Sequence, residues 1–251
     1  MARVIAPFQI IGSIESLTFW VDKEKKNFVK KKGKVGITKE QFRDNPIFDR
    51  IRNQSSEFGR CAIKSRIFRK LAHYFNERAK DGSFSGRSNR LMLDVVSEDQ
   101  TNPIGLRTVE KGMESEDAKD YFIGFEGNKV RPLKKVLKTK WNWNASENIL
   151  TINKFNPKKH IEWPEDEAEF VSIAFARTNW NYIDNTFTTE YSNEIIINKE
   201  EKPLDIKLET KIPTGNHLQL TFLFIGFSIK HRKTTKELKR SNNTVSIIWR
   251  H

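Results

Sequence analysis

The amino-acid sequence predicts an α+β protein, with an N-terminal β-hairpin, then long amphipathic helices, and a C-terminal antiparallel β-sandwich. Three observations predict it. Apolar residues alternate near the N-terminus, recur at helical spacing from Thr38 to Lys80, and return to short alternating runs beyond Trp141. Pro132 and its neighbouring lysines read as a linker. The expected domains are a hairpin and basic helical domain over 1–135 and a β-sandwich domain over 136–251.

Residues 8–32 read as the hairpin. Leu17, Phe19 and Val21 alternate with Thr18, Trp20 and Asp22, and the turn Lys23-Glu24-Lys25-Lys26 leads into Asn27-Phe28-Val29-Lys30. Period-two patterning is expected to place one face on a core. The run Lys30-Lys31-Lys32-Gly33-Lys34 reads as a solvated exit from the strand.

Thr38 and Gln41 form a capping-box pattern, and Asn45-Pro46 is a second helix start. Ile47, Ile51, Ser55, Phe58, Ala62, Ser65, Phe68, Ala72 and Phe75 then follow helical spacing, which predicts a buried stripe, with Gly59 as a site for a kink. Leu91, Met92, Val95 and Val96 mark another short helix, and Ser115-Glu116-Asp117 a further helix start. Six or seven short strands between 141 and 249, separated by Pro, Gly, Asn and Asp turns, predict the sandwich.

Charge is the most informative part of the composition. The chain carries +13 overall, and +12 of it lies in residues 1–90. Such an imbalance points to a local anion-binding surface or to a partner with an acidic face. The candidate nucleic-acid-binding residues are Arg52, Arg60, Lys64, Arg66, Arg69, Lys70, Arg78, Arg87 and Arg90. A cationic helix can lie along a phosphate backbone because each neutralised phosphate releases counterions. The competing reading is a solvated amphipathic helix, since these cations spread round much of the circumference. Gly82 to Arg90 could cradle an anion before a helix, but lacks a P-loop ending, and an ordinary turn is the preferred reading.

Little in the sequence supports catalysis. His73, His160, His217, His231 and His251 show no metal-type spacing, Cys61 reads as a buried small hydrophobe, and no Gly-x-Ser-x-Gly elbow exists. Glu165, Asp166, Glu167 and Glu169 crowd one loop beside Trp163 and need no catalytic explanation. Five of the six Trp lie in the predicted sandwich, where core packing is preferred over a binding platform. No enzyme activity, cofactor or metal is expected. The single Cys61 excludes an internal disulfide framework, no signal peptide is read at the start, and Leu218–Ile229 is too short to span a membrane, so a cytoplasmic protein is expected.

The opening Gly12-Ser13-Ile14-Glu15-Ser16-Leu17-Thr18-Phe19, the lysine-rich second strand, and the Thr38-x-x-Gln41 helix start resemble uncharacterised proteins of Bacteroidota. Those proteins also begin with a Gly-containing hairpin and a basic amphipathic helix, and carry a later β-rich region. The resemblance covers about the first 80 residues and implies neither an activity nor a functional residue. The functional expectation is therefore a non-enzymatic scaffold associated with nucleic acid or a ribonucleoprotein, with a protein partner on the sandwich and no membrane. The alternatives are a structural subunit of a phage-derived or other multi-protein assembly, and a carbohydrate-binding or hydrolytic sandwich.

Overall fold

Short alternating strands near the N-terminus pair into a small antiparallel sheet. It comprises β1 (Ala2–Arg3), β2 (Gly12–Ile14), β3 (Leu17–Val21) and β4 (Asn27–Lys31), in the order β1-β4-β3-β2. The computed structural model describes residues 2–33, 36–164, 168–232 and 234–251. Lys34 of the basic run and the Glu165-Asp166-Glu167 corner lie outside the described residues. The expected β3–β4 turn forms because Asp22 Oδ1 accepts the N–H groups of Glu24 and Lys26, at 2.9 and 2.8 Å, while Lys25 adopts a φ of 61°. The expected core beneath the hairpin is absent. Asn27 is its one buried side chain among the described residues, and the residues of β3 are at best half-buried. Strands this short, with apolar residues on both faces, enclose no interior.

The Thr38 cap forms as expected: its hydroxyl accepts the Gln41 N–H, and Gln41 Oε1 accepts the Thr38 N–H. It starts α1 (Lys39–Asp44), and the chain then divides into two compact units, residues 1–49 and 50–251. The expected boundary at 135 falls inside the second unit.

In that second unit, α2 (Asp49–Phe68) runs unbroken through Gly59, and the chain turns instead between Arg69 and Ala72 before α3 (His73–Ala79). The buried face of α2 is Glu57, Cys61, Lys64, Ser65 and Phe68, whereas Ile51, Ser55 and Phe58 of the predicted stripe are exposed. The first half of the face is rotated by about one residue, where Glu57 and Lys64 are buried with partners, while Ser65, Phe68, Ala72 and Phe75 are buried as the stripe predicts. Glu57 receives Arg107 at 2.9 and 3.0 Å, and Lys64 Nζ lies 2.5 Å from Glu110. Helix α4 (Phe84–Ser97) buries the four predicted residues together with Phe84 and Ser88. The short helices α5 (Val109–Gly112), α6 (Glu116–Asp120) and α7 (Leu133–Val136) follow. Gly112 permits the close approach of α5 to α4, since a Cβ there would lie 2.0 Å from the Val95 carbonyl oxygen.

The β half contains β5 (Asn142–Asn144), β6 (Ile149–Phe155), a helical turn α8 (Pro157–His160), β7 (Phe170–Asn181), β8 (Thr186–Tyr191), β9 (Ile195–Asn198), β10 (Leu204–Glu209), β11 (Leu218–His231), β12 (Thr234–Glu237) and β13 (Thr244–Arg250). The long strands β7 and β11 pair antiparallel at the centre of a six-stranded sheet. Around them, β12 and β13 flank β11, and β8 and β9 flank β7. A three-stranded antiparallel sheet, β10-β6-β5, packs against one face to form the predicted sandwich.

The pleat sorts the two cores. Ala174, Ala176, Trp180, Leu220, Phe222 and Phe224 face the helices, with Phe68, Phe75, Met92 and Phe122. Ile173, Phe175, Leu223, Ile225 and Phe227 face Leu150, Ile152, Phe155, Ile206 and Leu208 of the smaller sheet. Leu133 and Val136 of α7 belong to this second core, so the segment expected to be a linker is built into the packing.

Candidate functional site

The cations that sequence reasoning proposed as a nucleic-acid-binding set lie on α2 and the turn after it, on α3 and on α4, and have different fates. Four turn inward. Arg60 donates from Nη2 to the carbonyl oxygens of Gly105 and Arg107 at 2.5 and 3.1 Å, and from Nη1 to Ser56 Oγ at 2.9 Å. Lys64, buried, meets Glu110, the Tyr182 carbonyl and Asn185 Oδ1. Arg78 is clamped between Glu194 and Glu237 of the β half and lies 4.7 Å over Tyr74 and 4.2 Å over Phe224. Its carboxylate partners raise its pKa against the opposing effect of burial, which is the largest single influence. Arg87 reaches Asp81 and the carbonyls of Glu126 and Gly127. These four are engaged by the protein's own acceptors, Lys64, Arg78 and Arg87 by carboxylates and Arg60 by neutral oxygens.

Arg52 is half-buried near the start of α2, and Arg90, 76% exposed in its side chain, pairs with Asp94 one turn along α4. The structure thus separates both from the remaining three. Arg66, Arg69 and Lys70 sit together where α2 ends and the chain turns. None has a carboxylate within ion-pair distance among the described residues.

These three line a cavity of about 510 Å³ with His73, Lys80 and Arg240. Lys80 belongs to the same predicted basic segment. Arg240 was not foreseen: it sits in a helical turn between β12 and β13, and no sequence signal links it to a helix 170 residues earlier. The walls contain two carboxylates, both already engaged. Glu77 lies 2.6 Å from Lys80, a bond that holds its pKa below the usual carboxylate value. Asp81 accepts from the Lys129 N–H, the Ser83 N–H and Arg87. Burial pushes its pKa up, and these hydrogen bonds reverse the shift to leave it lowered. Asp81 thus takes up the N–H and hydroxyl of Ser83, two donors of the loop before α4.

Arg69 is half-buried, and burial, followed by the neighbouring Arg66, lowers its pKa. An unbalanced cation in a concave wall is a preformed attraction for an anion.

Elsewhere the chemistry is sparse. Cys61 is fully buried, which pushes its thiol up to about 11, far from a nucleophilic thiolate. Trp180 is fully buried, and the other five Trp are half-buried. Trp143 and Trp249 lie 6.0 Å apart with the buried Arg177 over both rings. No described group of three His, Cys, Asp or Glu side chains is arranged to hold a metal ion, and no described helix is long and apolar enough to cross a membrane. Comparison with protein-family models, with curated proteins and with solved structures gave no match.

Proposed function

We propose that this protein is a non-enzymatic, nucleic-acid- or ribonucleoprotein-associated scaffold that meets phosphate groups through the Arg66–Lys70 concavity. The observation that carries the reading is a contrast among the predicted cations. Lys64, Arg78 and Arg87 are paired with carboxylates and Arg60 with backbone carbonyls, whereas Arg66, Arg69 and Lys70 line one concavity with no carboxylate within ion-pair distance among the described residues. Of the nine predicted cations, three line the proposed contact. A cytoplasmic location belongs to the same reading, in keeping with a single cysteine buried as a thiol.

Fluorescence anisotropy with duplex DNA and structured RNA across a salt series tests it. Binding is expected at micromolar or tighter dissociation constants, with a log–log salt slope of about −3 for three to four phosphate contacts. Arg66→Gln combined with Lys70→Gln is expected to flatten that slope by about 2. No binding at about 50 mM salt overturns the proposal.

A second reading, a subunit of a phage-derived or other multi-protein assembly, is favoured by the N-terminal sheet. That sheet leaves Ile5, Ile11, Ile14 and Leu17 exposed and has an unpaired edge at β2. Oligomers in light scattering that ignore nuclease and salt, without anisotropy change, would select it. The carbohydrate-binding alternative needs Trp and carboxylate side chains converging on one exposed face; Trp180 is buried and the other sandwich tryptophans are half-buried.

A further inference from the structure

The charge of Arg69 is held in place but left unbalanced. Its Nη1 donates to Ser65 Oγ at 2.7 Å and to Asn89 Oδ1 at 3.4 Å, two neutral acceptors that fix the plane of the guanidinium. Nε and Nη2 make no hydrogen bond among the described residues, so the edge suited to a bidentate oxyanion is open. Ser65 is fully buried, and the anchor is therefore part of the helix packing. Around this half-buried guanidinium, Arg66, Lys70 and Arg240 are exposed at the outside of the cavity. The arrangement has an inner donor edge and an outer cationic rim.

Depth and charge together discriminate between kinds of phosphate. A phosphodiester within a polymer carries one charge and two ester arms, which hold it at the rim. A terminal phosphomonoester carries nearly two charges near neutral pH and three free oxygens, and it projects from the end of a strand. It can enter a cavity of about 510 Å³ and meet Nε and Nη2 side by side. Glu77 and Asp81 are already paired within the walls, so neither leaves an uncompensated negative charge to oppose it.

Building on the nucleic-acid reading above, we infer that this concavity receives the terminal phosphomonoester of a nucleic-acid strand, with Arg69 as its bidentate partner and Arg66, Lys70 and Arg240 closing round it. The site takes a strand end and makes no demand on base identity.

Anisotropy titrations of the full chain at about 150 mM salt test this with three internally labelled single strands of one sequence, ending in a 5′-phosphate, a 3′-phosphate, or hydroxyls at both ends. At least one phosphate-ended strand is expected to bind about tenfold more tightly than the hydroxyl-ended strand. Arg69→Lys keeps the charge but loses the planar fork, and it is expected to bring that ratio close to one. Should that variant fail to fold, Arg240→Gln, at an exposed position, is expected to lower the ratio about threefold. Equal binding of all three strands, or a ratio untouched by the substitution made, overturns the inference while leaving nucleic-acid binding intact. Absence of binding by any strand, at about 50 mM salt as well, overturns the nucleic-acid reading itself. A phosphoserine peptide that binds as tightly as the phosphate-ended strand overturns the assignment to nucleic acid.

Discussion

The two compact units are built from similar residue types and reach opposite ends of the scale of burial. Residues 50–251 wrap two apolar cores around a six-stranded sheet, with helices on one face and three strands on the other. Residues 1–49 form four short strands and a capped helix in which Asn27 is the one buried side chain among those described. Alternation is present in both, so patterning alone does not make a core. A second layer does, and among the described residues the larger unit has one.

Tryptophan gives the sharpest way to break this comparison. Trp180 is fully buried and lies 6.3 Å from each of Phe68, Phe122 and Tyr182, whereas Trp20 is half-buried and stacks on Phe28 at 5.8 Å. Trp180→Ala is expected to lower the stability of the larger unit by about 3–5 kcal/mol. Trp20→Ala removes one stacked pair and is expected to cost about 1 kcal/mol. Urea denaturation followed by circular dichroism measures both, and equal losses would show that the small sheet has an interior after all.

Asn27 measures how the smaller unit holds together without a core. Its side chain accepts the Ile10 N–H at 2.9 Å and donates to the carbonyls of Ile10 and Trp20 at 2.9 and 3.1 Å. Asn27→Ala is expected to remove about 2 kcal/mol of local stability by leaving these backbone groups unpaired. Hydrogen exchange should then accelerate in residues 10–31 and stay unchanged in β7 and β11. Unchanged protection around Ile10 and Trp20 would show that apolar contacts, and not this polar knot, order the sheet.

How far the sequence reveals all this depends on the range of each interaction. The β3–β4 hairpin, the Thr38–Gln41 cap and the inward face of α4 are set by residues within a few positions, and all are legible. The fate of a cation is not. Arg78 looks like its neighbours until Glu194 and Glu237 arrive from 116 and 159 residues away. Lys64 likewise depends on Glu110 and on the loop after β7. The rotated face of α2 has the same cause, since a partnered charge can take an interior position that periodicity assigns to an apolar residue. Arg240 joins the concavity only because β11 turns back through β12 toward α3. The helical segment could thus be identified as basic, while the three cations left open to a ligand are defined by tertiary pairing.

Burial of charge offers the last and smallest contrast between the units. Glu57, Lys64 and Asp99 are all buried in the larger unit, and Glu126 is partly buried there with its Oε2 sealed from solvent. Burial raises the Glu126 pKa to about 7, against the opposing hydrogen bond from the Leu133 N–H at 3.1 Å. The folded state thus holds this proton more tightly than the unfolded chain, whose glutamate titrates near 4.5. Between these values the folded protein binds the extra proton, so stability falls as pH rises. The contribution is fully present below the unfolded value and is lost as pH climbs through about 7. Solvent reaching this half-buried site limits it to about 1–2 kcal/mol. Glu126→Gln retains an acceptor for the Leu133 N–H and removes the titration. The variant is expected to exceed the natural protein in urea midpoint at pH 8, and the advantage should vanish near pH 4.5. An advantage of the same size at both pH values would show that the gain comes from packing, with the Glu126 carboxylate solvated well enough to ionise at its ordinary pKa.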